Sequence, residues 1–152
     1  MNVVVGKSRI GKGLFVAKDI KKNGVLFSVV GTIRREEYSP GKSYLSLGQR
    51  WLAIGKETWL IPIRTSPWWY LNHSCKPNVG LKGTRTVIAM RKIKKGEQVT
   101  IDYSITEDDP YWKMKCACGQ RECRKVIQSI RFLPKRLFRK YKGYIPKWLQ
   151  RK

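Results

Sequence analysis

Acidic residues are scarce in this chain: 10 Asp and Glu stand against 33 Lys and Arg, for a formal net charge of +23 over 152 residues. That imbalance predicts attraction to polyanions, nucleic acid first and an anionic membrane surface second. The plainer alternative is a solvated basic surface with no specific partner. No apolar run approaches the ~20 residues a membrane span requires, and no signal-peptide pattern opens the chain. The expectation is therefore a soluble intracellular protein, in cytoplasm, nucleoid or nucleus, and not a secreted one. Without a secretory signal, disulfides are disfavoured, because an intracellular compartment keeps thiols reduced. No alternation of strands with long helices is visible, which disfavours a parallel α/β sheet.

A single hydrophobic core is within reach of a domain this long, and 41% hydrophobic residues fit a globular chain. Val3-Val4-Val5 reads as a short strand, followed by Gly6, Gly11 and Gly13 as backbone breaks before Leu14–Ala17. Asn23-Gly24 is a turn signal leading into a strand over Val25–Val30. Residues 34–43 read as a surface connection. Further strands are expected at Tyr44–Leu47, Trp51–Ile54, Thr58–Ile63, Thr86–Met90 and Gln98–Tyr103. Ile20-Lys-Lys-Asn-Gly-Val and Ile93-Lys-Lys-Gly-Glu-Gln-Val look like one turn-plus-strand device used twice. The architecture predicted is mainly β, in several small sheets.

Three of the four cysteines cluster as Cys116-x-Cys118-x4-Cys123, a spacing that favours a metal over buried thiols. The fourth, Cys75, lies in Asn72-His73-Ser74-Cys75-Lys76-Pro77-Asn78, with the only histidine of the chain. Taken singly, a lone histidine is more often a satisfied core residue, and a Gly-x-Gly is more often a turn. In the strand Gln98–Tyr103, alternation puts Val99, Ile101 and Tyr103 on one face and Thr100 and Asp102 on the other. Read alone, that strand is ordinary and Tyr103 is a core residue.

Four segments together resemble the SET-domain protein lysine methyltransferases. They are Gly11-Lys12-Gly13-Leu14-Phe15-Val16-Ala17 (one residue longer than the family pattern), Asn72–Asn78, Gly96–Tyr103, and Cys116-Ala-Cys-Gly-Gln-Arg-Glu-Cys123-Arg124. The resemblance spans roughly residues 8–127 and implies a small stand-alone member with a SET fold. That fold has small antiparallel sheets and a knot-like C-terminal threading; short C-terminal helical pieces are expected from Pro134 and Pro146. It implies a SET domain over 1–110, a post-SET zinc segment over 111–127 and a basic aromatic tail over 128–152.

The resemblance further implies transfer of a methyl group from S-adenosylmethionine to a protein lysine. Tyr103 would be catalytic, and Gly11, Lys12, Gly13, Leu14, Asn72, His73 and Tyr103 would contact the cofactor. Cys75, Cys116, Cys118 and Cys123 would hold one structural Zn²⁺. Tyr44, Ile101, Tyr111 and Trp112 are candidates for the lysine channel, although core packing explains any single aromatic there. Ile101 stands where the family often carries Phe or Tyr, which suggests di- or trimethylation. The substrate expected is a basic, nucleic-acid-associated protein, histone-like or ribosomal. The acidic run Glu107-Asp108-Asp109 either steers such a substrate or is a plain solvated loop. The tail, basic and aromatic by turns, suits DNA or RNA contact, or its apolar residues clamp it to the core. The alternative to an enzyme is a nucleic-acid-binding SET-fold protein with weak or no transferase activity.

Overall fold

A computed structural model describes residues 1–37, 39 and 50–150. Its strands, in chain order, are β1 (Val3–Ser8), β2 (Gly11–Val16), β3 (Val25–Ser28), β4 (Gly31–Arg35), β5 (Leu52–Gly55) and β6 (Thr58–Pro62). They continue as β7 (Asn72–His73), β8 (Val79–Lys82), β9 (Thr86–Ala89), β10 (Gln98–Ile101), β11 (Lys113–Lys115) and β12 (Val126–Gln128), with one short helix α1 (Lys135–Lys140). The sheets run β1-β2-β10-β7, β3-β9-β8, β4-β6-β5 and β11-β12. Mainly β structure in small antiparallel sheets is as expected; β10 with β7 is the parallel exception.

Several boundaries differ from the sequence expectation. Gly6 and Gly13 do not break the backbone but face each other across the β1–β2 hairpin. A Cβ on Gly13 would lie 2.7 Å from Gln98 Nε2 and 3.1 Å from Asn72 Nδ2, so glycine serves close approach there. Gly11, at φ 106°, does need glycine's freedom to leave the hairpin turn. Residues 34 and 35 are strand, not connection: they end β4, which pairs with β6 along its whole length, from Gly31↔Pro62 to Arg35↔Thr58. Its basic side chains face water, so pairing overrides the charged composition. The strand expected at Tyr44–Leu47 lies outside the described residues. The two look-alike segments meet: Ile20 and Ile93 exchange backbone hydrogen bonds of 2.9 Å each way.

Strand β10 is the centre of the molecule. It pairs with β2 on one side and β7 on the other, and Val99 and Ile101 are fully buried with Leu14 from β2. Burying each such side chain contributes ~1.5–3 kcal/mol. The strand ends at Ile101, two residues short of expectation. Asp102 accepts from Ser104 N and caps a 3-10 turn over Tyr103–Thr106.

The tail is clamped. Ile130, Leu133, Leu137, Tyr141, Ile145 and Leu149 are all buried, and Pro134 and Pro146 sit just before α1 and the 3-10 turn Lys147–Leu149. The tail backbone lies along the edge of β8, where Leu81 N donates to Tyr144 O at 2.8 Å and Lys147 N to Gly83 O at 3.2 Å. A Cβ on Gly80 would stand 2.5 Å from Tyr144 Cβ, so only glycine admits this approach.

Candidate active site

The parallel pairing of β7 with β10 sets Asn72 beside Thr100 and His73 beside Ile101. Beyond it, Asn78 stitches the following loop to β10: its side chain donates to Gln98 O at 2.7 Å and accepts from Thr100 N at 2.9 Å. Two ends of the chain's motifs thereby become one wall. Asn72 Nδ2 reaches across to Lys12 O at 2.9 Å, tying that wall to the glycine hairpin.

Past Asp102 the chain turns, and Tyr103 folds back over β7. Its hydroxyl donates to Leu71 O at 2.8 Å, its backbone N donates to His73 Nδ1 at 3.1 Å, and its ring lies 5.3 Å from the imidazole. Burial pushes the Tyr103 phenol above its ordinary range. It therefore stays protonated at neutral pH. Burial lowers the His73 pKa from 6.5 to about 4; Asp102, with Oδ1 3.7 Å from Nδ1, opposes this, and Arg124 adds to it. The imidazole is neutral near pH 7, with Nδ1 as acceptor and the proton on Nε2, 3.4 Å from Cys75 Sγ.

The same loop delivers Cys75 to Cys116, Cys118 and Cys123, whose sulfurs all lie within 4.8 Å of one another. The β11–β12 hairpin supplies those three, closed by Met114↔Ile127 with Ile127 in the core. Four thiolates around one tetrahedral Zn²⁺, with Zn–S of ~2.3 Å, would sit ~3.8 Å apart; Cys75 and Cys116 stand at 3.7 Å. Without a cation so many thiolates would repel. Burial pushes the Cys75 and Cys116 thiols up; at Cys118 burial also acts upward, yet hydrogen bonds from the Cys75 and Gln120 backbone and neighbouring thiols hold it at about 7. The donor set and spacing fit a closed metal site.

Gly-Lys-Gly hairpin, Asn-His strand, buried tyrosine and four-cysteine cluster thus converge in three dimensions, and the SET domain family profile matches residues 11–104. The chain belongs to the SET domain family. Human Histone-lysine N-methyltransferase 2D is 34% identical over 137 residues, 82% of this chain and 2% of that protein. Histone-lysine N-methyltransferase trr of Drosophila melanogaster is also 34% identical over 82% of this chain, and 6% of its own length. The H3 lysine-4 specific histone-lysine N-methyltransferase of Schizosaccharomyces pombe is 31% identical over 80% of this chain and 15% of its own. This SET domain thus spans a small fraction of the relatives it matches. Among solved structures, KRYPTONITE in complex with mCHH DNA, H3(1-15) peptide and SAH superposes with a TM-score of 0.63 at 20% identity, over 84% of this chain and 29% of that one. That likeness establishes the fold.

Within this SET domain, Gly11, Lys12, Gly13, Leu14, Asn72, His73 and Tyr103 lie around one wall formed by β2, β7 and the end of β10. The channel candidates scatter. Ile101 is fully buried beneath that wall, Trp112 is buried in the core, Tyr111 is 65% exposed, and Tyr44 lies outside the described residues. The acidic run is not a solvated loop: Glu107 and Asp109 are buried, and Glu107 Oε1 accepts from the backbone N of Asp108 and Asp109. Sequence reasoning assigned no role to Asp102, Arg124 or Asn78, although each stands inside or beside a motif. The available signal was the lone Asp before Tyr103 and the Arg after the last cysteine.

Proposed function

We propose that this chain is an S-adenosylmethionine-dependent protein-lysine N-methyltransferase. The observation that carries the reading is Tyr103, buried and protonated, with its hydroxyl proton committed to Leu71 O and its backbone bound to His73. A phenol so held is no general base; its oxygen lone pairs are left to orient polar groups. Lysine Nζ must arrive neutral, and a desolvated aromatic channel beside a sulfonium depresses its pKa. When bound, S-adenosylmethionine would supply an electrophilic methyl to Nζ, with the sulfonium sulfur as leaving group and the extra proton of the amine lost to solvent. Residues 11–14, Asn72 and His73 would hold the cofactor, Gly13 by backbone approach. Cys75, Cys116, Cys118 and Cys123 would hold one structural Zn²⁺ that pins residues 111–127 to the 1–110 body, leaving 128–152 as the tail.

The substrate we infer is a basic protein of the histone-like, chromatin or ribosomal kind. Two charge features support it. Glu36, Glu37, Glu57, Glu107, Asp108 and Asp109, six of the ten acidic residues, line one cavity of about 290 Å³ that Trp59 and Trp148 also wall. On the clamped tail, Lys135, Arg136, Arg139, Lys140, Lys142 and Lys147 all remain exposed, which suits DNA or RNA phosphates and supports a reading of the enzyme as a nucleoid or nuclear one. The relatives' names point the same way, since all three are histone-lysine methyltransferases. Ile101, lacking a phenolic hydroxyl, favours di- or trimethylation; only monomethyl product at saturating cofactor would overturn that.

The test is transfer of labelled methyl to histones, bacterial and archaeal chromatin proteins and ribosomal extract, with wild type and Tyr103→Phe in parallel. Labelled lysine that vanishes in the variant supports the enzyme. Tight, salt-sensitive DNA binding without any labelling would favour a binding module instead.

A further inference from the structure

Arg124 follows the last cysteine and is not among the residues proposed above to hold cofactor, substrate or metal. Its backbone N and its Nε both donate to Cys75 Sγ, at 3.4 and 3.5 Å. The far end of the same guanidinium meets Asp102 Oδ1 at 2.6 Å and Ser104 Oγ at 3.2 Å. Asp102 is fully buried and the Arg124 side chain is only 17% exposed. The carboxylate so engaged is the one that caps the turn starting at Tyr103 and stands 3.7 Å from His73 Nδ1. Ser104 Oγ in turn donates to Gln128 O at 2.6 Å, closing the circuit onto β12.

We propose that Arg124 is a positioning residue that couples occupancy of the four-cysteine site to the placement of Tyr103, by bridging Cys75 Sγ to the Asp102 carboxylate. The physical logic is charge and geometry. A divalent ion on four thiolates leaves a net charge of about −2 on the cluster, and hydrogen bonds from a guanidinium strengthen when the acceptor is ionised. A planar fork fixes the direction of its second set of donors once the first set is engaged. With Cys75 a bound thiolate, Nε is held and the terminal nitrogens are aimed at Asp102. Asp102 then holds the turn in which Tyr103 N meets His73 and Tyr103 Oη meets Leu71. With the cluster empty, the anchor at Cys75 weakens and the turn loosens.

This rests on the cysteines binding metal, and its test does not need methyl transfer. Protein labelled with ¹⁵N-tyrosine gives the Tyr103 amide signal, assigned by its loss in Tyr103→Phe. It is compared in the zinc-loaded and chelator-stripped states, and in zinc-loaded Arg124→Met and Arg124→Lys. Cobalt replacement of zinc reports independently whether the four-thiolate site is formed. The expected result is a Tyr103 amide that shifts and exchanges at least tenfold faster on stripping wild type. In metal-loaded Arg124→Met it should resemble the stripped protein although the tetrahedral cobalt spectrum is retained. Arg124→Lys, which keeps the charge but lacks the fork, should behave as Arg124→Met does, and Asp102→Asn provides the same comparison from the other side should Arg124→Met not fold. A Tyr103 amide in metal-loaded Arg124→Lys or Asp102→Asn that matches wild type would overturn the proposal, as would one indifferent to stripping. Binding of S-adenosylhomocysteine, measured on the same samples, reports separately on the methyltransferase reading.

Discussion

Tyr103 Oη and Leu71 O, 32 residues apart in sequence, are joined by a 2.8 Å hydrogen bond that orients a buried phenol on the Asn72–His73 wall. Tyr103→Phe removes that single neutral bond and should cost ~1 kcal/mol of stability. If the hydroxyl positions the reacting groups, transfer should fall on the order of a hundredfold. Initial rates and the thermal midpoint, measured together, separate the two; a rate within twofold of wild type would remove Tyr103 from the catalytic role.

Gly13→Ala places a methyl 2.7 Å from Gln98 Nε2 and 3.1 Å from Asn72 Nδ2. Gln98 can yield at its flexible end, but Asn72 is tied to Lys12 O. S-adenosylhomocysteine binding should weaken about tenfold, ~1.4 kcal/mol, with little change in melting. Titration calorimetry on the purified variant checks this.

Cys116→Ser should abolish stoichiometric zinc, since the four sulfurs, all within 4.8 Å of one another, form one cluster that needs every thiolate. Loss of the clip between the hairpin and the body should lower the midpoint on the order of 10 °C. Metal analysis and a melting curve, with and without chelator, decide it; a full zinc equivalent in the variant would refute the assignment.

The fold holds His73 neutral, with its pKa lowered from 6.5 to about 4. The unfolded chain takes up a proton below pH 6.5 that the folded chain refuses until about 4. Stability attributable to this group is therefore intact above 6.5 and declines as pH falls towards 4, by at most ~1.4 kcal/mol per pH unit. Urea unfolding of wild type and His73→Gln across that range should show the steeper acid-side decline in wild type only.

Gly80→Ala drives a methyl to 2.5 Å from Tyr144 Cβ and 2.8 Å from Tyr144 O. Backbone must move, at a cost of ~1–3 kcal/mol, and the tail should lift from β8. Faster exchange of the Leu81 amide and earlier tryptic cleavage after Lys142 would show it; unchanged exchange would mean the tail is held elsewhere.

Spacing alone pointed to a metal at the three clustered cysteines, turn and strand signals to the small-sheet architecture, and the resemblance of four motifs to the SET family supplied Cys75 as the fourth thiol. Alternation likewise placed Val99 and Ile101 in the core. Boundaries set by pairing were not legible. Nothing in Gly31–Arg35 reads as a strand until β6 is beside it, and Asp102 looks like a strand residue until Ser104 N turns back to its carboxylate. Nor could charge be read locally, since Glu107 and Asp109 look like a solvated run yet are buried. The tertiary structure alone decided which groups share a site. Only the parallel register of β7 on β10 brings residues about 30 apart to one wall, and only the return of the β11–β12 hairpin sets Arg124 between Cys75 and Asp102. Sequence specifies the groups by their chemistry, while the contacts among them arise from long-range pairing that no local segment encodes.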